Sequence, residues 1–146
     1  MLSAAAYRRF SLASMRTVLA ALAPAPDGRR VPTIVFTKGG GVWLDEIAQS
    51  GASGVGLDWT VDIADARRRV GDRVALQGNL DPLTLLTDPS TVERETAAIV
   101  RAAGPAPGHI FNLGHGIVQQ TPPENVAVLV ETVHRESRAM RAAAAA

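Results

Sequence analysis

The sequence contains no cysteine in 146 residues, which excludes disulfide bonds and thiolate metal sites. This absence fits the reducing cytoplasm, where we expect the protein to act. Aromatic residues make up only 4% of the chain, so leucine, valine, isoleucine and alanine must form most of the core. The formal net charge is +1, which argues against a general nucleic-acid or membrane-surface binder, because such a protein needs a cationic face.

Long apolar runs are also missing. The stretch that follows Arg8 and Arg9 ends at Arg16, and it contains no apolar run long enough for a signal peptide. No segment approaches the ~20 consecutive apolar residues of a membrane span. The length allows one domain, residues 1–146, and we expect the alanine-rich residues 142–146 to form a disordered tail.

The chain does have a regular alternation of short apolar runs and helical segments. Strands are predicted at residues 33–37, 54–59, 74–79 and 110–113, and the β-branched apolar run of the first is typical of a buried strand. Helices are predicted at residues 7–22, where Phe10 and Val18 belong to an apolar pattern of helical spacing, and at 43–49, 62–70 and 89–103. A helical turn is predicted at 82–86 and a last helix from Pro122 or Pro123 to about Met140. This order predicts an α/β fold with a parallel sheet. Four strand–helix units suit either a small open sheet or half of an eight-stranded barrel, which needs about 250 residues.

Each predicted strand is followed by glycine or polar residues that could serve chemistry. Lys38, Asp58, Asn79 and His115 follow the four strands in turn. In parallel α/β folds the ligand lies at the carboxyl ends of the strands. We therefore expect these side chains to converge on one rim of the sheet.

The same strand ends carry a family resemblance. In order and at matching spacing, from about Tyr7 to about Met140, the chain resembles uroporphyrinogen decarboxylase. The segments that carry the resemblance are Phe36–Gly41, Gly56–Thr60, Gln77–Pro82, Phe111–Ile117, Thr121–Val126 and Val133–His134.

The resemblance implies a TIM (β/α)8 barrel, of which this chain would be the C-terminal half with strands five to eight. It also implies a homodimer of haem biosynthesis that removes carbon dioxide from the four acetate side chains of uroporphyrinogen III and leaves coproporphyrinogen III. No cofactor or metal is expected. The family's substrate-binding arginines, aspartate, tyrosine and serine would lie in a preceding half. We therefore assign no catalytic residue here and expect a truncated, split or fragmentary enzyme that can be inactive alone.

The resemblance implies one substrate-binding side chain in this half, His115, which is flanked by Gly114 and Gly116. A histidine can supply a hydrogen-bond donor near neutral pH. Lys38 ends a strand on the same rim and could meet a substrate carboxylate, although a solvated loop lysine is the simpler interpretation.

Other polar residues favour structural roles. Asp58 and Asp81 could form an acid–base pair, but we expect Asp58 to bind its strand-end loop. Asp81 precedes Pro82 and suits a helix N-cap. His109 should be structural, because it begins a strand far from the rim.

The remaining charged residues indicate no further site. His134 should lie on a helix face, and the three histidines lack close metal-ligand spacing, so no metal is predicted. The run Arg67–Arg69 is typical of a solvated helix face near a helix C-terminus.

Two other functions remain open from the sequence. A corrinoid-linked methyltransferase could share the barrel, although those relatives use a zinc–thiolate centre and this chain has no cysteine. A catalytically silent half-barrel could instead act as an interaction module. Its two bare parallel strand edges would invite pairing with another copy or another chain, so we expect a homodimer or other self-association.

Overall fold

The computed structural model describes residues 2–145, in which short helices and four strands alternate. The N-terminal helical segment consists of α1 (Ala4–Ala6), a π-helix (Tyr7–Leu12) and α2 (Ala13–Ala21). There follow β1 (Ile34–Phe36), a 3-10 helix (Gly40–Trp43), α3 (Leu44–Ala48), β2 (Gly54–Gly56), α4 (Ile63–Val70), β3 (Ala75–Gln77), a second 3-10 helix (Pro82–Leu86), α5 (Pro89–Ala103), β4 (His109–Ile110) and α6 (Pro123–Ala144).

The four strands form one parallel sheet in the order β1-β2-β3-β4, so each strand lies beside its neighbour in sequence. Its register places Phe36 opposite Gly56, Gly56 opposite Gln77, and Gln77 opposite Ile110. Because side chains alternate along a strand, these four residues share one face of the sheet. We call this surface the open face.

Helices cover the opposite face of the sheet. Val55 and Leu76 point into a core that includes Tyr7, Leu12, Leu44, Ile47, Ile63, Ala66 and Val70. A second cluster joins α5 and α6 through Leu80, Leu85, Val92 and Leu129. This core rests mainly on leucine, isoleucine, valine and alanine, as predicted, because the chain contains so few aromatic residues.

Aspartates begin several helices. Asp62 accepts a hydrogen bond from the backbone N–H of Asp65, and Asp88 accepts one from Thr91. Asp81 accepts one from Leu83 and precedes Pro82, as predicted. A side-chain oxygen at this position satisfies an N–H group that has no partner within the helix.

The N-terminal helical segment differs from its prediction in the face it buries. Tyr7 stacks on Trp43 with ring centroids 4.0 Å apart, and Leu12 is buried. Phe10 and Val18, which belong to the predicted apolar pattern, are about 60% exposed. The π-helical turn at Tyr7–Leu12 changes the helical period on which that pattern was based.

Two further elements differ from their predictions. β1 was predicted to be buried, but Ile34 and Phe36 are each 46% exposed. It is an edge strand, and no element among residues 2–145 covers its open-face side chains. The last helix continues to Ala144, beyond the predicted end near Met140, so residues 142–144 are helical where a disordered tail was expected. Alanine is the strongest helix former. Ala146 lies outside the described residues.

Candidate functional site

The residues predicted to converge do meet at the carboxyl ends of the strands. Asp58 follows β2 and is 2% exposed. Its carboxylate accepts hydrogen bonds from the backbone N–H of Gly39, after β1, and from the N–H and hydroxyl of Thr60. Asp58 therefore ties two neighbouring strand-end loops together, which confirms its predicted structural role.

The pKa of Asp58 is lowered from its usual value. Burial alone would raise this pKa, but the hydrogen bonds from Thr60 and Gly39 and the positive charge of Lys38 together outweigh that effect. The carboxylate is thus held ionised, and a group held in this form is poorly suited to act as a general acid near neutral pH.

Asn79 extends this network to the loop after β3, and the sequence analysis gave it no role. It is buried, and its side-chain amide donates to the carbonyl oxygens of Asp58 at 2.8 Å and Val61 at 2.6 Å. Asn79 thus fixes the loop after β2 through two hydrogen bonds to its backbone. Its place in a polar strand-end segment marked it as a rim residue, but nothing in the sequence indicated these partners.

Lys38 lies beside an aromatic ring. Its ammonium nitrogen is 5.2 Å from the centre of the Trp59 ring, within cation–π range. Because Asp58 binds the N–H of the next residue, Gly39, the backbone that carries Lys38 is fixed.

His115 lies between two aromatic side chains from neighbouring rim segments. Its ring is 6.0 Å from the ring of Phe36 and 6.3 Å from that of Trp59, edge-on to both. The preceding residue, Gly114, packs against the backbone of the loop after β2, where a Cβ atom would collide with the nitrogen of Trp59. The structure therefore brings His115 and Lys38 together, as the strand ends predicted, with Trp59 between them.

His115 opens onto a cleft of 310 Å³ on the open face. The lining residues are Phe36, Gly56, Leu57, Gln77, Asn112, Leu113, Gly114, His115 and Gly116. Its walls are largely apolar or glycine, with a few polar side chains, a composition typical of small-molecule sites. A larger groove of 500 Å³ lies near the amino end of β4 and contains none of the converging rim residues.

His109 and His134, predicted to be structural, line that larger groove. The Nε2 atom of His109 is 2.9 Å from the carbonyl oxygen of Gly78. Burial lowers the pKa of His109, and the charge of Arg67 lowers it further, while the contact with the Gly78 carbonyl raises it. The net effect is a lowered pKa, which favours the neutral ring. The contact with Gly78 links β4 to the end of β3.

The run Arg67–Arg69 is less solvated than predicted. Arg67 donates to the carbonyl oxygens of Gly71 and Gly108, at 3.0 and 2.8 Å. Arg69 donates to the carboxylate of Asp45 and to the carbonyl oxygen of Gly41, at 3.0 and 2.9 Å. Only Arg68 of the run matches the predicted solvated face, since its side chain is 71% exposed.

Two negative findings apply to residues 2–145. No group of three or more histidine, aspartate or glutamate side chains is arranged to hold a metal ion. In the same part of the chain, no helix combines the length and apolar character needed to cross a membrane.

A parallel α/β sheet whose polar side chains meet at its carboxyl rim has the architecture of part of a (β/α)8 barrel. Comparison with family models assigns the particular family. The model described as "Uroporphyrinogen decarboxylase (URO-D)" matches residues 1–136, and the chain belongs to that family.

Curated relatives agree with this assignment. The chain is 59% identical to "Uroporphyrinogen decarboxylase" of Aromatoleum aromaticum over 96% of its own length and 39% of the relative's. It is 59% identical to the protein of the same name from Azoarcus sp. over 97% of its own length and 40% of the relative's. The chain therefore spans about two-fifths of the length of these relatives.

A solved structure supports the fold alone. A methyltransferase from Methanosarcina mazei superposes with a TM-score of 0.75 over 92% of this chain and 38% of its own. The two sequences are only 18% identical, so the similarity concerns the strand–helix architecture and not the activity.

Proposed function

We propose that this chain forms part of a uroporphyrinogen decarboxylase, and that its rim supplies one side of the substrate cleft. The proposal is supported chiefly by the convergence of His115, Lys38 and Trp59 at the carboxyl rim of a chain that is 59% identical to proteins of that name. Uroporphyrinogen carries eight carboxylates, and a cleft that binds it needs cationic or N–H donors.

In the proposed reaction each acetate carboxylate leaves as carbon dioxide. A pyrrole carbon is first protonated so that the ring can accept the electron pair of the breaking carbon–carbon bond. A proton then adds to the remaining methylene carbon and gives a methyl group, while the first proton leaves the pyrrole carbon. The aromatic ring is thereby restored, with one proton consumed and no net oxidation or reduction. Stabilising the transient cationic ring requires fixed dipoles and charges rather than a redox group.

His115 is the substrate-contacting side chain that we propose in this part of the enzyme. Its ring is exposed at the cleft, and two aromatic neighbours restrict its orientation. A hydrogen bond from the imidazole to a substrate carboxylate would orient the macrocycle. Lys38 is proposed as a second cationic contact, because its ammonium group lies beside Trp59 on the same rim.

The test is an anaerobic decarboxylation assay with uroporphyrinogen and chromatography of the oxidised products. It compares the chain alone with the chain plus the complementary N-terminal portion of a relative such as the Azoarcus protein. We expect products with seven to four carboxyl groups only in the complemented sample. Activity from the chain alone would contradict the proposed division of the site, and inactivity in both samples would contradict the catalytic role.

The role of His115 is tested in the complemented sample with His115→Ala. We expect kcat/KM to fall about tenfold or more, the effect of losing one hydrogen bond to a charged group. His134→Ala is the matched control, since His134 lies on α6 beside the other groove. Equal kinetics for the two variants would rule out substrate contact by His115.

Self-association is proposed as a property of the isolated chain. Ile34, Phe36 and Ile110 on the open face and edge strands are 42–46% exposed, and both edge strands end the hydrogen-bonded sheet. Such surfaces favour pairing with a second copy. We expect light scattering to give a mass above that of one 15.3 kDa chain. A monodisperse single-chain mass would contradict this.

The same exposed surface is the one observation that favours the second function, a non-catalytic interaction module. Complementation distinguishes the two functions, because an interaction module would bind the N-terminal portion without restoring turnover. For the complete enzyme we also propose a homodimer that acts in the cytoplasm. The absence of cysteine from this chain fits the reducing conditions of that compartment.

A further inference from the structure

Gln77, the last residue of β3, occupies the floor of the cleft below His115. The sheet register places it opposite Gly56 on one side and Ile110 on the other. The adjacent residue, Leu76, points into the helix-covered core and is 0% exposed. By strand alternation the Gln77 side chain therefore points to the open face, where it lines the same cleft as Phe36 and His115.

Gly56 leaves room on the open face for the ring of Phe36. A Cβ atom at Gly56 would lie 3.0 Å from that ring. A larger residue would therefore crowd Phe36, which lines the cleft together with Gln77. The glycine keeps that part of the cleft open to a ligand.

Gln77 is partly buried, and its carboxamide makes no hydrogen bond within residues 2–145. It is not among the fully buried polar groups that lack a partner, so the amide is open to the cleft. Among the other residues that line the cleft, only Asn112 and His115 have polar side chains, and neither is hydrogen-bonded to Gln77. An amide that faces an open cleft in such surroundings has two N–H donors available to a ligand. This differs from Asn79, whose amide is used within the rim.

We propose that Gln77 binds a substrate acetate carboxylate through its Nε2–H group, and so adds a binding residue at the floor of the cleft. The inference rests on the proposed function, because it assumes a polycarboxylate substrate. His115 and Lys38 lie at the rim, whereas Gln77 lies one level deeper and at the centre of the sheet. A substrate group that enters the cleft from the rim would therefore reach Gln77 after it has passed His115 and Lys38.

A neutral donor suits a carboxylate that is to be lost. The reacting carboxylate gives up its negative charge as the carbon–carbon bond breaks, so an ion pair would stabilise the ground state more than the transition state. An amide orients the carboxylate through a weaker hydrogen bond. The cations of the cleft are then left for carboxylates that remain on the product.

The experiment measures binding of two stable oxidised porphyrins to the complemented sample by quenching of tryptophan fluorescence, since Trp59 lies beside His115. Uroporphyrin retains the acetates and coproporphyrin has methyl groups in their place. We expect Gln77→Leu to raise the Kd for uroporphyrin about tenfold and to leave the Kd for coproporphyrin unchanged. Gln49→Leu is the matched control, because Gln49 is exposed at the end of α3, away from the cleft.

A second variant distinguishes loss of binding from loss of folding. Gln77→Glu keeps the side-chain size, and its carboxylate should repel uroporphyrin more than coproporphyrin. Equal loss for both porphyrins would overturn the acetate contact, and unchanged binding in both variants would overturn any role for Gln77. Failure of the complemented sample with unmodified Gln77 to bind either porphyrin would count against the proposed function itself, and the inference would fall with it.

Discussion

The two faces of the sheet differ in how far the described part of the chain covers them. The covered face is packed by the chain's own helices, and Val55 and Leu76 are 1% and 0% exposed. The open face carries Phe36 and Ile110 at 46% and 42% exposure, together with the amide of Gln77. Stability is therefore concentrated on one face, while the other remains available for ligand and partner contacts. Substitutions should separate these two properties.

The largest effect is expected on the covered face. Leu76→Ala removes a fully buried side chain from the centre of the sheet and should lower the free energy of unfolding by about 2–5 kcal/mol. Ile34→Ala, on exposed edge strand β1, is the control and should cost about 1 kcal/mol or less. Urea unfolding followed by circular dichroism measures both. Similar losses would mean that the open face is also packed in solution.

The next effect is expected at the rim, where the two faces meet. Gly114→Ala places a methyl group against the backbone of Trp59, 3.0 Å from the carbonyl carbon of Asp58, and should cost about 1–3 kcal/mol. Gly116→Ala is the matched control, because a Cβ atom there meets nothing within 4 Å. If thermal unfolding shows no difference between them, the close approach of the two loops is not maintained.

A pH-dependent effect is expected from Asp58→Asn. The folded-state pKa of Asp58 is lowered, so its carboxylate adds stability above the unfolded-state pKa of about 3.9, and this stability is lost as the pH falls through the lower folded-state value. At pH 7 the variant should be less stable by about 1–3 kcal/mol. The difference should shrink below about pH 4. A constant difference in urea midpoints from pH 7 to pH 3 would contradict this.

The smallest effect on stability is expected on the open face. Ile34→Glu places a charge on a surface that is exposed in the single chain, so the free energy of unfolding should change little. Self-association, if it uses this face, should weaken, and light scattering at several concentrations would show the lower mass. An unchanged mass would place the contact elsewhere.

The sequence predicted the covered face better than the open face. Short apolar runs and helix signals such as Asp81 before Pro82 depend on neighbours in sequence, and the structure confirms the order of all four strand–helix units. β1 was predicted to be buried because its β-branched residues are typical of a buried parallel strand. Whether another element covers such a strand depends on tertiary structure, which a local pattern does not contain.

The candidate site was predicted in part for the same reason. Strand ends indicated Lys38, Asp58 and His115, because topology alone brings such positions together. The partners of Asn79 and the free amide of Gln77 depend on side-chain directions across three strands. Alternation from Leu76 could have indicated that Gln77 faces away from the core.

The unequal crossovers of the parallel sheet also affect the order of folding. β2 and β3 are joined through the eight-residue α4, whereas β3 and β4 are separated by a 3-10 helix and the fifteen-residue α5. Pairing of β4 with β3 requires closing the longer connection, which costs more conformational entropy. It forms few hydrogen bonds in return, because β4 has only two residues. β4 should therefore join the sheet last and open first, so its backbone amides should exchange with solvent faster than those of β2. His115 follows β4, so the ligand-facing loop is attached to the part of the sheet with the lowest local stability.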